Sequence, residues 1–481
     1  MLIYIYIYIA MNIKNGYSYN KNGWKYIYIK GTPYDRGFAY GSLIVDDFKQ
    51  IQKMLEFNIY ESFGYKWEYL IYKINKDINK FFSYDKVYLE FKKEIEGVTD
   101  GINKNGGKTT VKELVAWNFY YSIPYWLSTI NKNKSYSVSK EGGSSDRCSS
   151  FMVVGKDWTA DGEIVCGHNS FSAFIDGQYS NCILQINPIN GNEIIFQTTP
   201  GHIWSGLDFW VSSAGFIGSE TTLGGFASYK LKVPLFLRAR KTMQYANSLE
   251  KHIEYLNQGN SGDYANSWLI GDINNNEIMR LELGLKYINV DKTKNGYFIG
   301  FNAAYDPKIR NLESVNSGFY DIRRHQGARN VRLYDLMQKH KGKINIPIAK
   351  SIISDHYDVY LNKINPSSRT VCSHYELDDR KYMSQIGRPV PYQPQGAVDG
   401  LITDSKLARK MHLVCKWGSS CNLGFDAKEF FKKHHQWRFF KDYIKDRPFK
   451  PWTIIGKNIK SKNHKTRNKK HKKKFTKKRI K

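Results

Sequence analysis

Hydrophobic and polar positions follow two different periods along this chain, and the change of period predicts its elements. Apolar residues recur every three or four positions over residues 84–103 and 111–127, the spacing of helices with one buried face. After residue 147 the pattern shortens to β-prone runs separated by turn signals such as Thr159-Ala160-Asp161-Gly162. Further helices are predicted over residues 234–258, 322–340 and 346–354.

The β-prone runs predict strands that alternate with the helices. They cover residues 24–30, 148–155, 163–169, 181–187, 193–198, 209–213, 215–222, 268–272, 277–283 and 298–302. The runs 148–155 and 163–169 are joined by the turn at 159–162, so they predict a hairpin. Strands grouped around long helices are typical of sheets covered by helices, an α+β layered domain.

Composition excludes several classes of protein. Of 481 residues, 41% are hydrophobic and 15% aromatic, which is enough apolar surface for a sizeable core and rules out a mainly disordered chain. Six cysteines are too few for a disulfide scaffold or a zinc ribbon. No apolar stretch reaches 18 residues, so no transmembrane helix is predicted.

The two ends of the chain differ from its middle. Residues 1–10 alternate isoleucine and tyrosine, and we interpret residues 1–23 as a low-complexity leader without a convincing signal peptide. Residues 457–481 carry 14 Lys/Arg and no acid, about half of the net charge of +29, and are predicted to be a disordered basic tail. Its candidate partners are nucleic acid and anionic membrane. The location is left open between secreted or endolysosomal and cytoplasmic.

Three glycines surround Arg36 in the segment from Gly31 to Gly41. The pattern predicts a tight turn followed by a closely packed helix. It lacks both the GxGxxG spacing and a following Lys-Ser/Thr pair, so it does not indicate a nucleotide-binding loop.

Cys148 is the leading candidate for chemistry, because it follows a polar loop directly and opens a predicted strand. That placement suits an N-terminal nucleophile, an enzyme that cleaves its own chain before a cysteine, serine or threonine. The freed α-amino group would then act as the base for the thiol. A cysteine in a strand is also consistent with a small buried hydrophobic residue.

Other candidate residues stand at strand ends. His168 could tune a thiol and Asn169 could donate to an oxyanion, although both are also ordinary turn residues. Asn302 is a second oxyanion candidate or a strand cap, and Thr221 is a polar residue in a predicted core strand. No HExxH or CxxC motif occurs, so no metal site and no cofactor are predicted. Cys415 and Cys421 either form a disulfide or stay reduced.

A series of short motifs resembles one family along most of residues 24–455. The motifs are Asp146-Arg-Cys-Ser-Ser-Phe151, Gly167-His-Asn-Ser-Phe171, Gln197-Thr-Thr-Pro-Gly201, Ser205-Gly-Leu-Asp208, Gly218-Ser-Glu-Thr-Thr-Leu-Gly-Gly225, Tyr264-Ala-Asn-Ser-Trp268, Gly300-Phe-Asn302 and Gln395-Gly-Ala-Val-Asp-Gly400. Their order and spacing resemble the C45 family of autoproteolytic acyltransferases and hydrolases, and the related phospholipase B-like proteins.

The resemblance implies a fold and a site. The fold would be the four-layer αββα sandwich of N-terminal nucleophile hydrolases, and self-cleavage would fall between Arg147 and Cys148. Cys148 would supply both nucleophile and base, Asn302 would stabilise the oxyanion, and Thr221, His168 and Asn169 would lie near the nucleophile. Residues 24–147 would then be removed from, or held beside, a catalytic domain over residues 148–456.

The chain departs from the family pattern at two points. Penicillin-type acyltransferases carry an aspartate where this chain has Phe171, an aromatic position in the phospholipase B-like branch. The family's late arginine has no secure match, and Arg323, Arg324 and His374 are its candidates.

The predicted function is a self-processing cysteine hydrolase or acyltransferase. It would act on an amide or a phospholipid acyl ester through an acyl-thioester, and small molecules or lipids are its expected substrates. The alternatives are a non-processing pseudo-enzyme of the same fold and a binding protein led by the basic tail.

Overall fold

Two large sheets form the centre of the protein in a computed structural model that describes residues 11–130, 148–226, 228–315, 318–379 and 391–457. With strands numbered in chain order, the first sheet contains β1 (Met11–Ile13), β2 (Gly16–Lys21), β3 (Trp24–Gly31), β6 (Cys182–Pro188), β7 (Ile194–Thr198), β8 (Phe209–Ser212), β9 (Phe216–Thr222), β10 (Asn266–Asp272), β11 (Glu277–Leu283) and β12 (Ile288–Thr293), side by side in that order. The strands are antiparallel except for the parallel pair β3 and β6.

The second sheet holds the strand that Cys148 begins. It contains β4 (Cys148–Val154), β5 (Val165–Ala173), β13 (Gly296–Gly300), β16 (Gln395–Ala397), β17 (Asp399–Asp404), β18 (His412–Trp417) and β19 (Thr453–Gly456). Its order is β13-β4-β5-β17-β18-β19, and β16 also pairs with β5. A small separate ladder joins β14 (Tyr357–Asp358) to β15 (Lys363–Ile364).

The helices precede, interrupt and follow the strands. They are α1 (Pro33–Leu43), α2 (Val45–Phe63), α3 (Trp67–Ile78), α4 (Lys86–Lys104), α5 (Val111–Asn118), α6 (Ile123–Ile130), α7 (Phe174–Gly177), α8 (Leu235–Tyr245), α9 (Leu249–Asn257), α10 (His325–Lys339), α11 (Ile346–Ile353), α12 (Ser405–Ala408) and α13 (Ala427–Lys433). In the described residues, none of them is long and apolar enough to cross a membrane.

The two sheets pack face to face between helical layers. A Cβ atom on Gly271 of β10 would lie 3.0 Å from the Met152 sulfur of β4, so the sheets approach closely there. Helices α1, α8 and α9 cover the first sheet, whereas α10 and α11 cover the second. Because both faces are covered, every residue of β4, β9 and β10 is buried. The predicted four-layer αββα sandwich is confirmed.

Helices α1 and α4 cross at glycines, as the pattern around Arg36 predicts. A Cβ atom on Gly37 would lie 2.0 Å from the Glu94 carbonyl oxygen, and one on Gly97 would lie 2.2 Å from the Tyr34 carbonyl oxygen. No side chain fits at either contact, so the glycines set the distance between the helices. The turn before α1 is also present, with Gly31 at a φ of 111°.

The N-terminal residues from Met11 onward belong to the first sheet. The leader predicted over residues 1–23 ends in the middle of a hairpin, because β1 and β2 are strands of the first sheet and Asn22-Gly23 forms the turn into β3. Both turn residues have positive φ, as a type I′ hairpin turn requires. Residues 11–130 thus pack against the residues predicted as the αββα domain over 148–456. Residues 1–10 and 458–481 lie outside the described residues.

One predicted helix is divided. Residues 234–258 form α8 and α9 rather than a single helix, so that prediction was wrong. The chain turns extended at Ala246, and the Ser248 side chain caps α9 by accepting a hydrogen bond from the Lys251 amide. Serine competes for backbone groups inside a helix and favours the first position outside it.

Candidate active site

Cys148 begins β4 in a fully enclosed position. Its side chain is buried, and its Sγ lies 3.5 Å from Oδ2 of Asp208, to which the thiol donates. Burial raises the pKa of the Cys148 thiol well above its usual 9.0, and the negative charges of Asp208 and Glu220 raise it further. The thiol is therefore protonated in this state, with the Asp208 carboxylate positioned to accept its proton.

The main chain of Cys148 is held from both sides. Its amide donates to Oδ1 of Asn302 at 3.3 Å, and its carbonyl oxygen accepts a hydrogen bond from Nη1 of Arg329. Nη2 of Arg329 donates to the same Asn302 oxygen at 2.9 Å, whereas Nδ2 of Asn302 donates to the Thr222 carbonyl at 2.9 Å. The nitrogen atom that self-cleavage would convert to an amine is thus fixed by Asn302, beside a guanidinium group.

Arg329 is a buried arginine beside Cys148 that the sequence interpretation missed. It lies on α10, is fully buried, and its guanidinium carbon is 5.1 Å from the centre of the Phe171 ring, within cation–π range. The candidate Arg323 instead pairs with Asp321 at the surface. Arg329 lies on the same buried helix face as Leu333 and Leu336, at spacings of four and three residues. An arginine in line with apolar residues at this spacing is the sequence signal that would have identified it as buried.

Three non-glycine residues around the thiol have left-handed backbone conformations. The φ angles are 71° at Asp208, 49° at Tyr264 and 65° at Asn302. The Tyr264 hydroxyl donates to Oδ2 of Asp208 at 3.2 Å, so the strained residues also contact one another. Each such residue costs on the order of 1 kcal/mol, and strain of this kind concentrates at functional sites.

His168 lies close to the Cys148 thiol and the Asp208 carboxylate. One ring nitrogen of His168, the Cys148 sulfur and one carboxylate oxygen of Asp208 all lie within 4.8 Å of one another. Burial lowers the pKa of His168 from 6.5 to about 3, so the imidazole is neutral at physiological pH. It therefore lies beside the thiol without adding a positive charge.

Among the described residues, no hydrogen bond joins Asn169 or Thr221 to the Cys148 thiol. Asn169 directs its Nδ2 away from β4, toward the carbonyls of Ile353 and Val371 and the hydroxyl of Ser420. Thr221 packs against Gly300, where an added Cβ would lie 2.5 Å from Cγ2 of Thr221. The structure thus brings Cys148, His168 and Asn302 together but gives Asn169 and Thr221 other contacts. Arg147, on the other side of the predicted cleavage point, lies outside the described residues.

Two further buried carboxyl groups, those of Glu220 and Asp399, lie close enough to Cys148 to raise the pKa of its thiol. Burial, and then the charge of Asp208, raise the pKa of Glu220 well above 4.5. Burial also raises the pKa of Asp399, which accepts from the Ser170 amide on β5, to about 6. A cleft of about 680 Å³ lies elsewhere, at the opposite end of β4 beside Gly155, and is separate from this chemistry.

Comparison with known proteins identifies relatives. The family model described as Phospholipase B matches residues 65–448. Phospholipase B-like protein C of Dictyostelium discoideum is 23% identical over 257 residues, covering 46% of this chain and 45% of the relative. Phospholipase B-like protein B of the same organism is 22% identical over 364 residues, covering 68% of this chain and 62% of the relative. Each alignment thus spans less than two thirds of the relative's length.

Solved structures give a weaker likeness. A mutant of the conjugated bile acid hydrolase of Clostridium perfringens matches with a TM-score of 0.33 and 9% identity, over 56% of this chain and 88% of the other. A second variant of that hydrolase matches with a TM-score of 0.26 and 9% identity, over 58% of this chain and 83% of the other.

Proposed function

The chain belongs to the phospholipase B family. We propose that it is a self-processing cysteine hydrolase with Cys148 as nucleophile. The observation that carries the proposal is the set of three hydrogen bonds around Cys148. Its amide donates to Asn302, its carbonyl oxygen accepts from Arg329, and its thiol donates to Asp208. A cysteine that only fills space in the core needs none of these three hydrogen bonds.

Processing begins with transfer of the thiol proton to Asp208. The sulfur attacks the carbonyl carbon of Arg147, a C–S bond forms, the C–N bond to Cys148 breaks, and the nitrogen takes the proton. Water then hydrolyses the thioester, which releases the Arg147 carboxylate and restores the thiol. Asp208 is the proposed base for this step because its Oδ2 lies 3.5 Å from the sulfur.

Turnover uses the new α-amine in place of Asp208. The amine takes the thiol proton, the sulfur forms an acyl-thioester with the substrate, and the leaving amine or alcohol receives the proton. Asn302 and Arg329 keep their positions, and the guanidinium charge favours the neutral, basic form of the amine. The oxyanion role predicted for Asn302 would use its second Nδ2 hydrogen.

The proposed substrates are amides or phospholipid acyl esters, and either water or an amine can accept the acyl group. The family name supports the ester, and the nucleophile chemistry applies equally to both carbonyl types. The basic tail is a proposed contact for anionic membranes, which would bring the enzyme to lipid substrates.

An activity assay with matched cysteine variants tests the proposal. Purified wild type, Cys148→Ala and Cys166→Ala are incubated with phosphatidylcholine vesicles and with N-acyl amides, and released fatty acid is measured. Cys166 is a buried thiol on the adjacent strand β5, so its variant controls for loss of a buried cysteine. Wild type and Cys166→Ala release fatty acid, whereas Cys148→Ala does not. Equal release by all three would overturn Cys148 as nucleophile.

A further inference from the structure

Four cysteine and histidine side chains from distant parts of the chain meet outside the active site. His356 follows α11, Cys372 and His374 lie on the segment after β15, and Cys421 follows β18. One donor atom from each residue lies within 4.8 Å of the other three. The side chains of Cys372, His374 and Cys421 are buried, and His356 is half-buried.

The distances in this cluster are those of ligands around a common centre. Nε2 of His374 lies 3.4 Å from the Cys372 sulfur and 3.4 Å from the Cys421 sulfur. On a tetrahedral Zn²⁺ ion with Zn–S bonds of about 2.3 Å and Zn–N bonds of about 2.0 Å, a sulfur ligand and a nitrogen ligand lie about 3.5 Å apart. A single ring nitrogen offers either one hydrogen or one lone pair, so it cannot hydrogen bond fully with both thiols.

The surroundings also suit a metal. Nδ1 of His374 is 2.7 Å from Oε1 of Glu376, the carboxylate contact that orients a metal-binding imidazole and fixes its other nitrogen as the ligand. The Leu423 amide donates to the Cys421 sulfur at 3.3 Å, which stabilises a thiolate. Nε2 of His356 is buried and has no hydrogen-bond partner among the described residues, an atom that a metal ion would satisfy.

We propose that His356, Cys372, His374 and Cys421 bind one Zn²⁺ ion in a tetrahedral Cys₂His₂ site. Four protein ligands leave no open position, so the site is structural rather than catalytic. The ion ties the segment that contains Cys372 to the loop that contains Cys421.

The metal site supports the active-site strand through Asn169. Nδ2 of Asn169 donates to the Val371 carbonyl and to the Ser420 hydroxyl, and each acceptor is adjacent in sequence to a cysteine ligand. Oδ1 of Asn169 accepts from the Ser149 amide, next to the nucleophile. The ion thereby fixes the two segments that hold β5 beside the start of β4.

Metal analysis of the purified protein tests the site. The full chain is expressed without an affinity tag in zinc-supplemented medium, reduced, dialysed against metal-free buffer and analysed by mass spectrometry for metals. About one zinc per chain is expected for wild type and for the control Cys182→Ser, which removes a buried thiol outside the cluster. Cys372→Ser and Cys421→Ser are each expected to lose most of it.

Cobalt replacement keeps the test decisive if a cysteine variant does not fold. The wild-type protein, stripped with a chelator and reloaded with Co²⁺, should show the visible absorption of tetrahedral cobalt and the near-ultraviolet thiolate bands. The chelator should also lower its melting temperature. Wild type that holds no zinc and shows no such cobalt bands would overturn the proposal, as would a Cys372–Cys421 disulfide in the protein as isolated.

Discussion

Replacing Glu94 by glutamine tests whether buried charge holds the N-terminal helices to the rest of the protein. Glu94 lies on α4 and accepts hydrogen bonds from Arg36 on α1 and from Arg240 on α8, at 2.7 to 3.0 Å. All three side chains are at most 1% exposed. Because α8 follows Cys148 in sequence, Glu94 connects the segment before the predicted cleavage point to the segment after it.

The expected loss of stability depends on the hydrogen-bond partners that each arginine would keep. Arg36 would still pair with Glu90 at 2.6 Å, but Arg240 would keep only neutral acceptors, the Gln244 side chain and the Ile203 carbonyl, among the contacts described. Removing one partner of a buried ion pair costs about 3–5 kcal/mol, because the remaining charge stays buried without compensation. We therefore expect Glu94→Gln to lower the free energy of unfolding by about that amount.

The assay is urea unfolding followed by circular dichroism, in a Cys148→Ala background so that every chain is continuous. The control is Glu96→Gln on the same helix, where the partner Lys93 is 65% exposed and Glu96 is 29% exposed. Such a surface pair is worth less than about 1 kcal/mol. Equal unfolding midpoints for the two variants would show that the buried charge of Glu94 does not stabilise the fold.

Three further predictions concern the site, the pH dependence and the processed protein. Arg329→Met removes a charged hydrogen bond from Cys148, so self-cleavage should slow about 10- to 100-fold in a time course on gels, whereas the exposed Arg323→Met should not change it. Burial lowers the pKa of His202 from 6.5 to about 3, so the unfolded chain binds more protons as the pH falls below 6.5. Wild type should therefore lose about 2 kcal/mol of stability relative to His202→Gln between pH 7 and pH 5, measured by urea unfolding. After cleavage the N-terminal fragment should co-elute with the rest in size-exclusion chromatography and separate only in denaturant, because β3 is paired with β6.

Local signals in the sequence were enough to predict most helices and strands of the fold. The hairpin of β4 and β5 follows from two β-prone runs around a turn signal, and the glycines near Arg36 indicated the close crossing of α1 and α4. The Asn22-Gly23 turn between β2 and β3 is an equally strong local signal, which the repetitive residues at the start of the chain obscured. The division of the predicted helix into α8 and α9 depends on one capping residue, Ser248, inside an otherwise helical pattern.

The site could be predicted where its residues lie on strands that the β pattern locates. Cys148 opens β4, His168 lies inside β5 opposite Ser150, and Asn302 follows β13, so their meeting follows from the pairing of these strands. Arg329 reaches Cys148 from a helix across 181 positions of sequence, and only tertiary packing selects it over Arg323. The cysteines and histidines of the proposed zinc site have no regular spacing, because loops rather than one motif bring them together.

The intact mass of the purified protein shows directly whether the chain cleaves itself before Cys148. Wild type and Cys166→Ala are each expected to give two masses, those of residues 1–147 and 148–481, whereas Cys148→Ala is expected to give only that of the full chain. Splitting at this bond would establish Cys148 as the new N-terminal residue. A wild-type chain that stays whole at both neutral and acid pH would rule out Cys148 as an N-terminal nucleophile, because Cys148 would then have no free α-amine to act as its base.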